Sequence, residues 1–460
     1  MKKKLVIIGA GPAGLPVASQ VRKETKDIEI TVLSDRNYFS YSPCGIPFVV
    51  SGMIKSFDNL IMRTPKHYED MAISIKTNTR VTGIDTEKQV VITNKDNYPY
   101  DILVIATGVK PFVPNIPGID LEGIYFMYSL EEAIEVERAL KNSNTITIVG
   151  GGAIGLEMAY AFKKRNKDVI VIERSPHIMG SILDPDMSLI VEEYLISMGI
   201  TFLKDTQVIE FEGEKGKVTT VITNEGKIKT DMVLVSVGVR PNVEMVVESG
   251  IERGVTGGLI TDSCLRVRKN GIFLPNVFAC GNCIEVIDGV TFRPTLSALG
   301  STAVRQALTV AENILGTNTV YTPIVSPGVS IIGELEIGAV GVNSKRAIQN
   351  GIFPRESMAK GLTRARYFPK GEIITVKILV DKNFRLIGSQ IISKEGVKGR
   401  IDSMSFMISR GVTAHQLSLI ETSYVPPISS VIDPLTIAAR KLIGITRDKF
   451  TLPDSMDNTT

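Results

Sequence analysis

The sequence predicts an α/β protein made of two doubly wound parallel units and a separate C-terminal α+β domain. Three observations predict it. A strand, glycine turn, helix, strand pattern occurs twice; a glycine-then-proline exit closes each unit; and alternating strands take over beyond about residue 320. In the first unit the apolar residues 5–8 read as a short buried strand. Gly9-Ala10-Gly11-Pro12-Ala13-Gly14 then turns into a helix over 15–23, and a second strand follows at 28–33. The second unit repeats this with a strand at 145–149, the turn Gly150-Gly151-Gly152-Ala153-Ile154-Gly155, a helix through Lys164 and a strand at 168–172 ending at Glu173.

The turn has a specific physical purpose. The first glycine permits the bend, the second lets backbone approach a pyrophosphate, and the third lets helix pack on strand. The helix N-terminus then offers free N–H groups to the phosphates. Two matches, each in strand–turn–helix context, predict two Rossmann-like units and two bound dinucleotides. Strands at 100–105 and 232–237 lead into Gly108-Val109-Lys110-Pro111 and Gly238-Val239-Arg240-Pro241, which mark the chain crossing between domains. Further on, strands are predicted at 373–380 and 386–392 around Asp381-Lys382-Asn383, with helices at 404–409 and 415–421. This third domain has no phosphate turn, which points to an interaction or subunit-contact role.

Composition narrows the function. With 460 residues, the chain is long enough for roughly three domains. The 52 Lys+Arg nearly balance the 49 Asp+Glu, so no nucleic-acid partner is expected. Met1-Lys2-Lys3-Lys4 imitates a signal peptide, but glycines break the apolar stretch that follows, and no run of about 18 apolar residues occurs. A cytoplasmic protein without a membrane partner is expected. Four cysteines cannot form the framework of a secreted disulfide scaffold, so any cysteine that matters is chemical. Cys280 and Cys283 lack the two further ligands that zinc requires, and no metal site is expected.

In Ser40-Tyr41-Ser42-Pro43-Cys44-Gly45-Ile46-Pro47, Pro47 and the apolar residues after it predict a helix start. Cys44 would then stand at a helix N-terminus, where partial positive charge lowers a thiol pKa. A small buried hydrophobe is the other reading of a lone cysteine, and spacing leaves both open.

Four segments join the two glycine turns in a resemblance that spans almost the whole chain. They are Ser40-x-x-x-Cys44-Gly45-x-Pro47, Ala106-Thr107-Gly108, Phe278-Ala279-Cys280-Gly281-Asn282-Cys283 and Tyr424-x-Pro426-Pro427. The sequence resembles the FAD-dependent pyridine nucleotide-disulfide oxidoreductases, in their single-cysteine branch of CoA-disulfide reductases, NAD(P)H sulfur or polysulfide reductases and NADH oxidases. The resemblance implies a discontinuous FAD domain (1–115 and 245–320), an NAD(P)H domain (116–244), a C-terminal dimerisation domain (321–450) and a frayed polar tail (451–460). It also implies a homodimer and makes Cys44 a redox residue. Two-cysteine relatives carry a second cysteine where Val49 stands, and a C-terminal histidine where this region offers Tyr424. The oxidases place a histidine where Pro12 stands.

The resemblance therefore implies NAD(P)H-driven reduction of a CoA-disulfide, CoA-persulfide or polysulfide, with the second sulfur supplied by the substrate. Tyr367 and Tyr424 match two tyrosines that reach the partner's cysteine. For FAD the matching residues are Gly9, Gly11, Gly14, Ala106, Thr107, Gly108, Gly281 and Asn282. Ser34, beside Asp35, stands where an acidic ribose ligand is usual, and Asn282 stands for an aspartate. For the nicotinamide nucleotide they are Gly150, Gly152, Gly155, Glu157 and Glu173. An acidic side chain at Glu173 favours NADH, while Arg174 keeps NADPH open. CoA would be met by Ser40, Arg22, Lys23 and Arg305, although Ser301 and Ala72 replace polar anchors. The alternatives are an oxidase working through a Cys44 sulfenate and a flavin-bound redox sensor.

Overall fold

The structure, a computed structural model, describes residues 2–444. The end of the third domain and the polar tail lie outside them.

Three sheets carry the molecule. The first has six strands in the order Arg266–Lys269, Ile272–Ala279, Ile102–Ile105, Lys3–Ile8, Ile28–Leu33, Ile73–Lys76. All its neighbours pair parallel except the first two. The second is wholly parallel, in the order Thr201–Leu203, Asp168–Ile172, Thr145–Val149, Met232–Val235, Ile124–Phe126. Helices cover both faces of such sheets, so their central strands read as continuous apolar runs. Residues 102–105 and 232–235 are accordingly buried throughout. Both strands are shorter than the sequence pattern indicated. Tyr100 pairs backbone with Gln89 instead of extending the ladder, and Ser236 is already bonded to Val149 at the glycine turn.

The two glycine–proline exits meet each other. Val109–Pro111 pairs antiparallel with Val239–Pro241, and Lys110 reaches Glu244 at 2.8 Å. Chain leaving one unit is thus bonded to chain leaving the other, which fixes where the two crossings lie.

The third sheet is antiparallel, in the order Gly328–Ile332, Leu335–Gly341, Leu386–Ser393, Ile373–Val380, Arg355–Leu362. The helices Val397–Ser409 and Pro434–Leu442 pack against it. The first begins seven residues before the predicted 404. The helix predicted at 415–421 is only Ala414–Leu417, because Thr413 and Gln416 form a capping box around a single turn and the chain then leaves it. Among the described residues, no helix is long and apolar enough to cross a membrane.

Candidate active site

The first glycine turn is shaped for backbone approach. A Cβ on Gly9, which has φ of +115°, would strike the Ala106 carbonyl, and one on Gly14 would strike the Gly9 carbonyl. A Cβ on Gly11 would meet nothing within 4 Å. The second turn repeats this: Gly150 and Gly155 are closed against Ser236 and Gly150, while Gly152 faces open space. The outer glycines serve packing, and the middle one leaves room for a ligand. Neither following helix, Gly14–Glu24 or Ala153–Lys164, has an acid in its first turn to oppose an anion.

Each turn meets a different strand end. In the second unit Glu173 accepts the N–H groups of Gly151 and Ser175, both at 2.8 Å, so its carboxylate lies against the phosphate turn. In the first, Ser34 is buried and bonded to the Arg36 backbone at 3.2 Å, while Asp35 points outward. No carboxylate faces that turn through Ser34.

The strand end at Cys280 closes the first turn. Its N–H donates to the Ile105 carbonyl at 3.0 Å, and a Cβ on Gly281 would come within 2.9 Å of the Ala13 side chain. Gln306, fully buried on the helix Gly300–Ile314, accepts the Gly281 N–H at 2.6 Å. Asn282 Oδ1 is buried without a partner. An orphaned buried oxygen costs about 1–3 kcal/mol, so this wall is built for a polar ligand. The Thr107 hydroxyl is buried beside the Cys283 thiol, which reaches the Cys280 carbonyl at 3.3 Å. These residues fit a dinucleotide with a polyol chain despite the Asn282 and Ser34 departures. Sequence patterns did not single out Gln306, although a glutamine on the apolar face of a helix was a visible signal.

Cys44 lies in the single turn Pro43–Gly45, directly before the helix Ile46–Val50. Val49, five residues on, is buried in the core with Ile46 and Val50. Cys44 is exposed as a residue, but its sulfur is desolvated enough to push its pKa up, and the Glu157 carboxylate pushes the same way. This corrects the expected lowering. A five-residue helix carries little dipole, and burial with a neighbouring negative charge outweighs it. Burial raises the Glu157 pKa as well, opposed by the Ser330 hydroxyl. Ser40, held at φ of +55°, bonds the Tyr68 hydroxyl at 2.9 Å.

Tyr367 and Tyr424 meet across 3.1 Å between hydroxyls, and they are 75% and 41% exposed. The structure therefore brings this pair together on the surface of the third domain. Of the predicted basic residues, Arg22 donates to the carbonyls of Thr25, Ile28 and Ala72 at 2.7–3.2 Å, so it braces the first helix against the neighbouring chain. Lys23 is exposed, and Arg305 donates to the Ser301 carbonyl in its own helix at 3.1 Å.

Two phosphate-ready turns on parallel sheets, a polar wall closing the first and a thiol near the helix of the second define a nicotinamide-dependent flavoprotein oxidoreductase. The chain belongs to the pyridine nucleotide-disulphide oxidoreductases: that family matches residues 3–307, and its dimerisation domain matches residues 328–434. Members carry FAD and use NAD(P)H. The chain is 39% identical to an NADH oxidase of Methanocaldococcus jannaschii, covering 95% of this chain and 98% of that one. It is 30% identical to an NAD(P)H coenzyme A polysulfide/persulfide reductase of Pyrococcus horikoshii, covering 96% and 99%. Among solved structures, a NAD-dependent persulfide reductase from A. fulgidus superposes with a TM-score of 0.92 at 31% identity, covering 96% of this chain and 83% of that one.

Proposed function

We propose that the protein uses NADH to reduce a CoA-disulfide, CoA-persulfide or polysulfide through Cys44. The observation that carries this is Cys44, alone at its turn, with buried Val49 five residues on, where a protein disulfide would need its second sulfur. The Cys44 thiolate attacks one sulfur of the acceptor. A mixed disulfide or persulfide forms on Cys44, the acceptor S–S bond breaks, and the leaving thiolate takes a proton. FAD, when bound, would supply two electrons taken from NADH as a hydride; these cleave the new S–S bond, releasing the substrate sulfur as a thiol or sulfide and restoring the Cys44 thiolate.

The chain's own residues have distinct parts. Gly9, Gly11 and Gly14, with Ala106, Thr107, Gly108, Gly281 and Asn282, would hold FAD. Gly150, Gly152, Gly155 and Glu157 hold the nicotinamide nucleotide, and Glu173 selects NADH by offering a carboxylate to the ribose and repelling a 2′-phosphate. Tyr367 and Tyr424 lie exposed because a second copy of the chain brings them to its Cys44, where a hydroxyl can protonate the leaving thiolate. Phe406, Leu419, Ile428 and Val431 are each more than two-thirds exposed in the same domain, which supports a homodimer. With Arg22 bound to three backbone carbonyls, the grip on a CoA phosphate falls to Lys23 and to the exposed Arg305, which donates one N–H to the Ser301 carbonyl.

Cys44→Ser tests this reading. The variant should keep its FAD and lose sulfur-acceptor reduction by NADH, whereas unchanged turnover would overturn it. The name of the M. jannaschii relative favours a second reading, with oxygen as the acceptor and a Cys44 sulfenate. Oxygen uptake under NADH at a rate matching that with polysulfide would promote it.

A further inference from the structure

Lys377 is an ammonium group buried to 3% exposure in the third sheet, and the chemistry above makes no use of it. Its Nζ lies 3.1 Å from Asp184, 2.9 Å from Asp186 and 3.1 Å from Glu356. Glu356 is on the neighbouring strand of the same sheet. Asp184 and Asp186 come instead from the nucleotide-binding unit, where they open the helix Pro185–Ser197. The cluster thus spans two parts of the molecule.

The hold on Asp184 is dense. Ser344 donates its N–H and its hydroxyl to the two carboxylate oxygens at 2.8 and 2.9 Å, and the same hydroxyl lies 2.8 Å from Glu356. Gln390 accepts the Asp184 N–H at 2.8 Å. Asn343 donates to the Gly180 and Leu183 carbonyls at 3.2 and 3.4 Å. Every one of these partners belongs to the third sheet or the chain beside it.

The segment so gripped is the one that touches the second glycine turn. Met179 donates its N–H to the Gly151 carbonyl at 2.8 Å, and a Cβ on Gly151 would come within 3.0 Å of the Ile178 side chain. Leu183 donates in turn to the Met179 carbonyl at 2.9 Å. The other side of Gly151, its N–H, is bonded to Glu173. One short strap therefore runs from the buried lysine to the peptide where the nucleotide phosphates would lie.

We propose that Lys377 is a positioning residue for the nicotinamide nucleotide: through Asp184 and the strap 178–184 it sets the second glycine turn, so that nucleotide affinity depends on the third domain. This rests on the assignment of that turn to NAD(P)H. Coupling of this kind travels through packed and hydrogen-bonded elements whose arrangement both ends bias.

The test uses the FAD-loaded full chain and NAD+ as the calorimetric probe. Lys377→Met should weaken NAD+ binding about tenfold and raise KM for NADH by a similar factor. Its kcat at saturating NADH and its FAD content should stay close to those of the parent. Ser344→Ala, which leaves the lysine in place, should move NAD+ affinity the same way by about twofold to threefold. Unchanged NAD+ affinity in a folded, FAD-loaded Lys377→Met overturns the proposal. So does unchanged affinity in Ser344→Ala if the lysine variant does not fold. Parallel loss of FAD and NAD+ binding also overturns it, since that is general destabilisation. Glu173→Ala separates the two layers: if it leaves NAD+ affinity intact, the site assignment fails, and the latch with it.

Discussion

At the residue scale, the pKa of Cys44 is set first by burial and then by Glu157, which lies more than a hundred positions away in the chain; both raise it. Glu157→Gln removes the charge and keeps the shape. Alkylation of Cys44 should then reach half its maximal rate at a lower pH than in the parent, measured as a rate profile with iodoacetamide; an unchanged profile would mean that burial acts alone. The placement of Cys44 before a helix and of Glu173 at a strand end was legible from the glycine and proline signals beside them, whereas the pairing of Tyr367 with Tyr424 had only the resemblance behind it. The sign of the Cys44 shift was not legible, because both the burial and the opposing charge come from tertiary packing against another unit. Lys377 was not singled out, although a lysine inside Ile373–Val380, a run otherwise of Ile, Thr, Val and Leu, is a visible sign of a buried charge.

At the element scale, the glycine turns make sharp demands. A methyl group on Gly14 would overlap the Gly9 carbonyl, and overpacking of this kind costs about 1–3 kcal/mol where backbone cannot give way. Gly14→Ala should therefore lower the flavin absorbance per chain of the purified protein while NAD+ binding at the other turn persists. Asp231 anchors the start of the strand Thr145–Val149 by accepting the N–H groups of Thr145 and Asn144 at 2.9 and 2.8 Å, bonds that hold its carboxyl below the ordinary value. Because the folded pKa is the lower one, this stabilisation is present above the unfolded pKa of about 3.9 and is lost as pH falls through the folded value. Thermal unfolding below about pH 4 should accordingly fall less steeply in Asp231→Asn than in the parent. The βαβ elements were legible because apolar run, glycine turn and charged helix end all agree there. The sheets at 81–99 and 208–229 were not, since short, half-exposed antiparallel strands carry weak periodicity. Nor was the early end of the helix at Leu417, which a local capping box decides.

At the scale of the whole molecule, two parallel sheets each present a phosphate turn, and an antiparallel sheet grips the second through a buried ion cluster. Cys44 sits where the helix Ile46–Val50 packs on the helix Ala153–Lys164, so the thiol belongs to the first unit by sequence and to the second by contact. The fold class was legible from the repeated turn, the glycine–proline exits and the alternating strands beyond about residue 320. The antiparallel pairing of the two proline exits was not, because it joins residues 130 apart in the chain. The central claim is that a substrate sulfur completes the disulfide that Val49 denies the protein. Its most direct measurement is the mass of the Cys44 peptide after the oxidised enzyme meets polysulfide without oxygen, before and after NADH is added. Added sulfur on Cys44 that NADH removes is the predicted result; no adduct on Cys44, or one that NADH leaves in place, would contradict it.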